Sequence, residues 1–245
     1  MQSFSCAREP LAKTSRPHRA SSPIRGSVAG ASLLCFAIDP TYHCMYFLLG
    51  KERANSQWLV GSGRWSDFGG GVADPGETAE VTAAREFAEE TLAVVRYFPG
   101  DSVPRMGYDD IVNDLQQRRY TLRLTQGDHQ RKFVVFVKQI PWDPAAVDRF
   151  RAYRLALTGP PGAASAEALD VAGHPALRGQ RVRKEYLEKK MLSLWSVPQL
   201  RNAVNHRGVM THRGGYVEHC KDGFRDTMEL VLSELGFILP ELMNE

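Results

Sequence analysis

The sequence predicts a mixed α/β (α+β) domain in which a few helices pack on one mixed sheet. Three observations carry this. Short apolar runs bounded by turn signals mark strands near residues 30–38, 45–50 and 133–140. An Ala- and Glu-rich segment behind a glycine loop marks a helix over 77–92, and a second amphipathic helix lies near the C-terminal end. The strands do not alternate regularly with helices, so a doubly wound parallel sheet fits poorly.

Each element follows from local composition. Residues 30–38 form an apolar run that ends at the turn signal Asp39-Pro40, which predicts a buried strand. Met45 to Gly50 is expected to return as its hairpin partner, ending in Lys51-Glu52-Arg53. Gln57 to Val60 is expected to extend the sheet before Gly61-Ser62-Gly63 breaks it. Residues 69–76 hold four glycines and a proline and are expected to be irregular. In the helix that follows, Val81, Ala84, Phe87 and Ala88 fall at helical spacing; Thr91 and Leu92 end it, and Val94-Val95 suggests an extended piece.

Tyr120 to Leu124, a turn over Thr125 to Gln130 and the β-branched run Phe133 to Ile140 make the clearest hairpin. Pro144 to Leu157 reads as a helix, and residues 159–179, rich in Gly, Pro and Ala, read as a long loop or insertion. Glu185 to Trp195 leads from charge into a strand, Ser196 to Leu200 into a short helix. In Asp222 to Leu235 the residues Phe224, Met228, Val231, Leu232 and Leu235 share one helix face.

The chain's 245 residues, 43% of them hydrophobic, suffice for one large domain or two small ones. We divide it into a tail over residues 1–27 and a domain over 28–245 with an insertion or loop around 159–180. The tail sets Arg8, Lys13, Arg16, Arg19 and Arg25 against Glu9 alone and is poor in apolar residues. It is expected to be disordered, with an organelle transit peptide as the alternative. It lacks the apolar stretch of a secretory signal. No apolar run approaches the ~20 residues needed to cross a bilayer. With 31 basic and 28 acidic residues, net charge favours no nucleic-acid or membrane partner. Cys6, Cys35, Cys44 and Cys220 form no CxxC pair, so no disulfide framework or zinc site is readable and a reducing, cytoplasmic setting is the default.

The chemistry concentrates in Arg85-Glu86-Phe87-Ala88-Glu89-Glu90. At ~100° per residue, Glu89 and Glu90 lie about 60° and about 40° to either side of Glu86. Three carboxylates thus share one helix face. Like charges at this spacing destabilise a helix, and a divalent cation would offset the repulsion. A solvated acidic face is the alternative for the glutamates alone. The glycine loop weighs against it, because the whole pattern runs Gly71-x5-Glu77-x7-Arg85-Glu86-hydrophobe-x-Glu89-Glu90.

That pattern resembles the Nudix box, Gly-x5-Glu-x7-Arg-Glu-hydrophobe-x-Glu-Glu-x-Gly-hydrophobe. Every charged position matches. Leu92 stands at the final glycine and Ala93 at the last hydrophobe, which puts the helix exit in doubt. Phe68 stands where many relatives have proline. The resemblance covers residues 30–140 well and implies an α/β/α sandwich around a mixed sheet. It implies Mg²⁺ or Mn²⁺ on Glu86, Glu89, Glu90 and the carbonyl of Gly71, with Arg85 and Glu77 holding the loop and orienting the glutamates. The implied reaction is pyrophosphohydrolysis of a nucleoside diphosphate linked to another group. Glu86 or Glu90 is a candidate base, as is Glu188 or Glu185 outside the box. Glu188 has an alternative reading as a charged partner of Lys184 or Lys189.

Substrate classes in the wider family include free nucleotides, capped RNA, nucleotide sugars and diphosphoinositol polyphosphates. The basic tail and the cluster Arg178, Arg181, Arg183, Lys184, Lys189 and Lys190 tilt toward a polyanion such as capped RNA, although such clusters are usually solvated faces. Trp58, Trp65, Phe68 and Trp195 are candidates either for stacking on a base or for the core. His206, His212 and His219 near Cys220 match no zinc spacing. A non-catalytic module binding a nucleotide or protein is the competing class. The Leu92 and Ala93 departures favour it, and the intact glutamates argue against it.

Overall fold

In this computed structural model the described residues are 27–53, 63–127, 131–159, 174–178, 181–211 and 217–240. In chain order the strands are β1 (Ser27–Ile38), β2 (Met45–Glu52), β3 (Trp65–Ser66), β4 (Phe68–Gly71), β5 (Leu122–Gly127), β6 (Arg131–Gln139), β7 (Leu177–Arg178), β8 (Arg181–Val182), β9 (Lys189–Ser196), β10 (Val209–Thr211) and β11 (Val217–His219). The helices are α1 (Ala79–Glu90), α2 (Asp109–Gln116), α3 (Ala145–Thr158), α4 (Val197–Asn205) and α5 (Asp222–Ile238).

β1 is apolar throughout its middle because both of its faces are covered. Ala31, Leu33, Cys35 and Ala37 point into one core with Phe87 of α1, Ile111 of α2 and Phe150 of α3. Leu34 and Phe36 point into a second core with Leu200 of α4 and Val231 of α5. The alternation of a single strand therefore feeds two helical layers, and the result is an α/β/α sandwich. β1 runs parallel to β6, from Ser27 opposite Arg131 to Phe36 opposite Gln139. It pairs antiparallel with β2 through its second half and with β4 through its first. β5 extends the sheet beyond β6, and β9 lies antiparallel to β2. The expected hairpins at 30–50 and 120–140 are both present. α3 packs on β9, and both contribute to the core.

Two expectations need correction. Phe68 to Gly71 is a strand, with Gly70 paired to Ala31. The glycine content made it look irregular, but the ladder with β1 supplies the order that local propensity lacks. Val94 and Val95 are fully buried in a loop and belong to no strand. α2 was not foreseen: it spans only two turns and turns Ile111 and Leu115 inward. The proposed strand at 57–60, Trp58, His212, the N-terminal tail up to residue 26 and most of the 159–180 segment lie outside the described residues. No helix among the described residues is long and apolar enough to cross a membrane.

Candidate active site

β4 delivers the chain to a tight loop, and the loop delivers it to α1. Thr78 caps the helix, its Oγ1 accepting the Val81 N–H at 3.3 Å. Glu77 folds the loop back: its Oε2 accepts the Ala73 N–H at 2.7 Å. Its Oε1 accepts from Arg85 Nε at 3.0 Å. Arg85 is the hub. Its Nη1 donates to Glu86 Oε1 at 2.8 Å and Glu89 Oε2 at 3.1 Å, and its Nη2 to the Gly71 carbonyl at 3.0 Å. The guanidinium fork, with five fixed donors, can hold four groups at once; a lysine cannot.

The three glutamates do not share one environment. Glu86 and Glu89 are part-exposed. Arg85 takes one oxygen of each, which leaves Oε2 of Glu86 and Oε1 of Glu89. Burial raises both carboxyls, Arg85 opposes it, and like charge from Glu89 on Glu86 and from Glu185 on Glu89 adds to the rise. For Glu77 burial also acts to raise, but the bonds from Arg85 and Ala73 outweigh it and hold the carboxyl below its usual range. A Cβ at Gly70 would overlap the Glu86 carboxylate, so any larger residue there must displace that side chain.

Glu90 is buried, at 2% exposure. Its Oε2 accepts the Gly69 N–H at 2.8 Å, and its Oε1 lies 3.2 Å from Lys189 Nζ. Burial pushes this carboxyl well up and Lys189 acts against the rise. Lys189 leaves the basic cluster to which the sequence assigned it: it is 1% exposed and points inward. Its Nζ donates to Glu52 Oε1 at 2.8 Å and Ser66 Oγ at 2.7 Å. Burial alone would lower its pKa, but Glu90 and Glu52 raise it above the usual range, and Lys189 holds Glu52 low in return. Nothing local announces this side chain. The β2–β9 register shifts between Lys51 and Glu52, and that irregularity sets Glu52 opposite Lys189.

The helix exit keeps its shape without glycine. Leu92 and Ala93 have φ of 55° and 54°. The Leu92 N–H donates to the Glu89 carbonyl at 3.2 Å and the Ala93 N–H to the Ala88 carbonyl at 2.8 Å. This is the Schellman pairing, with leucine in the position that glycine favours. The Leu92 side chain is fully buried, and His174 Nε2 lies 2.8 Å from its carbonyl.

A NUDIX domain profile matches residues 30–149. The chain belongs to the Nudix hydrolase superfamily. No curated protein sequence matches it significantly. Among solved structures it is similar to an Ap4A hydrolase of C. elegans, solved as a binary complex, at 12% identity, with 86% of this chain and 98% of that one covered and a TM-score of 0.39. It is similar to a MutT/nudix family protein of Listeria innocua at 15% identity, 87% and 98% coverage and a TM-score of 0.40. It is also similar to the NUDIX domain of Shewanella oneidensis NrtR, solved with ADP ribose, at 12% identity, 86% and 89% coverage and a TM-score of 0.40.

Around the Nudix box, the carboxyl of Glu188 is raised by partial loss of solvent and then by repulsion from Glu86 and Glu52. A turn of 3-10 helix over Lys184–Leu187 carries Glu185 and packs on α1. Arg181, Arg183, Lys184 and Lys190 are exposed. The aromatics go to the core: Trp65 meets Trp195 edge-on at 5.3 Å and Phe68 meets Phe87 at 5.5 Å, all four buried. His206 and His219 are exposed. Cys35 and Cys220 are buried thiols. Among the described residues no group of three or more His, Cys, Asp or Glu side chains is placed to hold a metal ion. The donors present still suit a hard cation. Mg²⁺ takes one or two carboxylates, keeps its waters and binds substrate phosphates. Glu86 and Glu89 offer two carboxylates beside the Gly71 carbonyl, in a neighbourhood of excess negative charge.

Proposed function

We propose that this chain is a Mg²⁺- or Mn²⁺-dependent pyrophosphohydrolase that cleaves a phosphoanhydride in a nucleoside diphosphate linked to another moiety. One observation carries the reading: a single guanidinium fixes Glu77, Gly71, Glu86 and Glu89 into one rigid set on the loop and helix of the Nudix box. A surface charge run has no need of such a hub. Glu86, Glu89 and the Gly71 carbonyl would hold the cation. Bound there, a divalent ion neutralises charge on phosphoryl oxygens and lowers the pKa of an attacking water.

The side chains then divide the work. Arg85 keeps Glu86 and Glu89 pointing outward while Glu77 closes the loop behind it. Glu188, raised by partial burial of its carboxyl and then by its acidic neighbours, is suited to take the proton of the attacking water. Arg181, Arg183, Lys184 and Lys190, in or near the 3-10 turn in sequence, are exposed and suit a polyanionic substrate, capped RNA included.

The test is a panel of dinucleoside polyphosphates, nucleotide sugars and capped RNA, assayed with Mg²⁺, Mn²⁺ and a chelator at two salt concentrations. Metal-dependent cleavage of at least one class is expected. It should be lost in Glu86→Gln and Glu89→Gln while the circular dichroism spectrum is kept. Full activity in the double variant would remove these residues from the site. Capped-RNA cleavage that ignores salt would remove the basic residues from substrate binding.

A further inference from the structure

The charge of Glu90 is answered from inside the fold. Lys189 carries three N–H donors, and three oxygens surround its Nζ: Glu52 Oε1 at 2.8 Å, Ser66 Oγ at 2.7 Å and Glu90 Oε1 at 3.2 Å. The other oxygen of Glu90 is held by the Gly69 N–H at 2.8 Å. Each oxygen of Glu90 thus already has a partner inside the fold.

The fold is built to admit this lysine. Its stem crosses Gly50, where a Cβ would lie 2.8 Å from Lys189 Cδ and 2.9 Å from Cγ. The Phe68 ring centroid lies 6.0 Å from Nζ, on the side of the box. Mg²⁺ sheds water reluctantly. A carboxylate at 2% exposure with both oxygens engaged is a poor partner for a hydrated ion.

We propose that Lys189 is a resident cation of the Nudix site, standing at Glu90 in place of a second divalent ion, so that the chain carries a single exchangeable metal on Glu86 and Glu89. This rests on the metal-dependent reading of the box given above. Lys189 is a positioning residue. It fixes Glu90 against β4 and supplies a constant positive charge whatever the metal concentration.

The test counts ions. The full chain is titrated with Mn²⁺ and followed by calorimetry and by the electron paramagnetic resonance of free Mn²⁺, with thermal melts recorded with and without Mn²⁺. The parent should bind one Mn²⁺ per chain. Lys189→Met leaves Glu90 buried without a counter-ion. It should bind two, and its melting temperature should rise with Mn²⁺ by more than the parent's. The double variant Lys189→Met/Glu90→Gln removes both charges and should return to one.

Two or more Mn²⁺ on the parent overturns the proposal. So does a Lys189→Met count of one with no added stabilisation by Mn²⁺, or a count of two in the double variant. If Lys189→Met folds only when Mn²⁺ is present, the proposal stands; if Mn²⁺ leaves it unfolded, the proposal falls. A parent that binds no Mn²⁺ removes the metal-dependent reading itself, a result distinct from a miscounted second ion.

Discussion

Restoring the family's glycine at Leu92 should destabilise this protein. Leu92 sits at φ 55°, where a non-glycine residue pays roughly 1–2 kcal/mol. Its side chain is fully buried in the core under α1. Truncating a buried leucine to alanine costs about 2–5 kcal/mol, and Leu92→Ala loses this while keeping the strain. Leu92→Gly loses the same burial but relieves the strain, against about 0.5–1 kcal/mol for the greater freedom of glycine in the unfolded chain. Both variants should therefore be less stable than the parent, with Gly above Ala by about 0.5–1 kcal/mol. For a loss near ~3 kcal/mol, melting should fall by roughly 6–12 °C in a domain of this size. Urea unfolding of the three proteins, with shared m-values, measures the order. A Leu92→Gly protein as stable as the parent would show that burial does not decide this exit. An alanine variant above the glycine variant would show that the left-handed backbone carries no strain.

Arg85→Lys keeps the charge but loses the fork that joins Glu77, Gly71, Glu86 and Glu89. Mn²⁺ affinity should drop about 10–100-fold with the fold intact, as measured by calorimetry beside circular dichroism. Gly70→Ala should displace the flexible Glu86 carboxylate, cutting metal-dependent turnover while moving the melting temperature little, because only a side-chain tip must shift. His174 gives a pH signature: burial lowers its pKa below 6.5, and its Nδ1 accepts the Ala176 N–H at 3.0 Å. The unfolded chain binds the proton more readily, so His174 contributes stability that is present above about pH 6.5 and lost as pH falls through that value toward the folded pKa. Denaturant melts of the parent from pH 7.5 to 5 should show this slope, and His174→Phe should flatten it; an unchanged slope in the variant would assign it to other groups.

The box was legible because its parts are local. Gly71, Glu77, Arg85, Glu86 and Glu89 lie on one loop and one helix, and helical spacing alone puts the carboxylates side by side. That β1 is buried and that the C-terminal helix has an apolar face could also be read locally, from an unbroken apolar run and a helical period. Sequence separation hid the rest. Trp65, Phe68 and Trp195 were balanced between stacking and packing until the sheet placed them inside. β4 was missed because glycines order there only by pairing with β1.

By itself the sequence determined the chemistry of this protein's loop and helix: an arginine-centred set of oxygen donors at fixed spacing, in a mixed sandwich. Only the tertiary structure decided that the three glutamates are not equivalent. Glu90 is set apart by Lys189 on a distant strand, brought opposite Glu52 by a register shift that no local pattern encodes. Only the structure decided the helix exit as well. There a leucine takes the left-handed turn of glycine because its buried side chain gains more than the strained backbone loses.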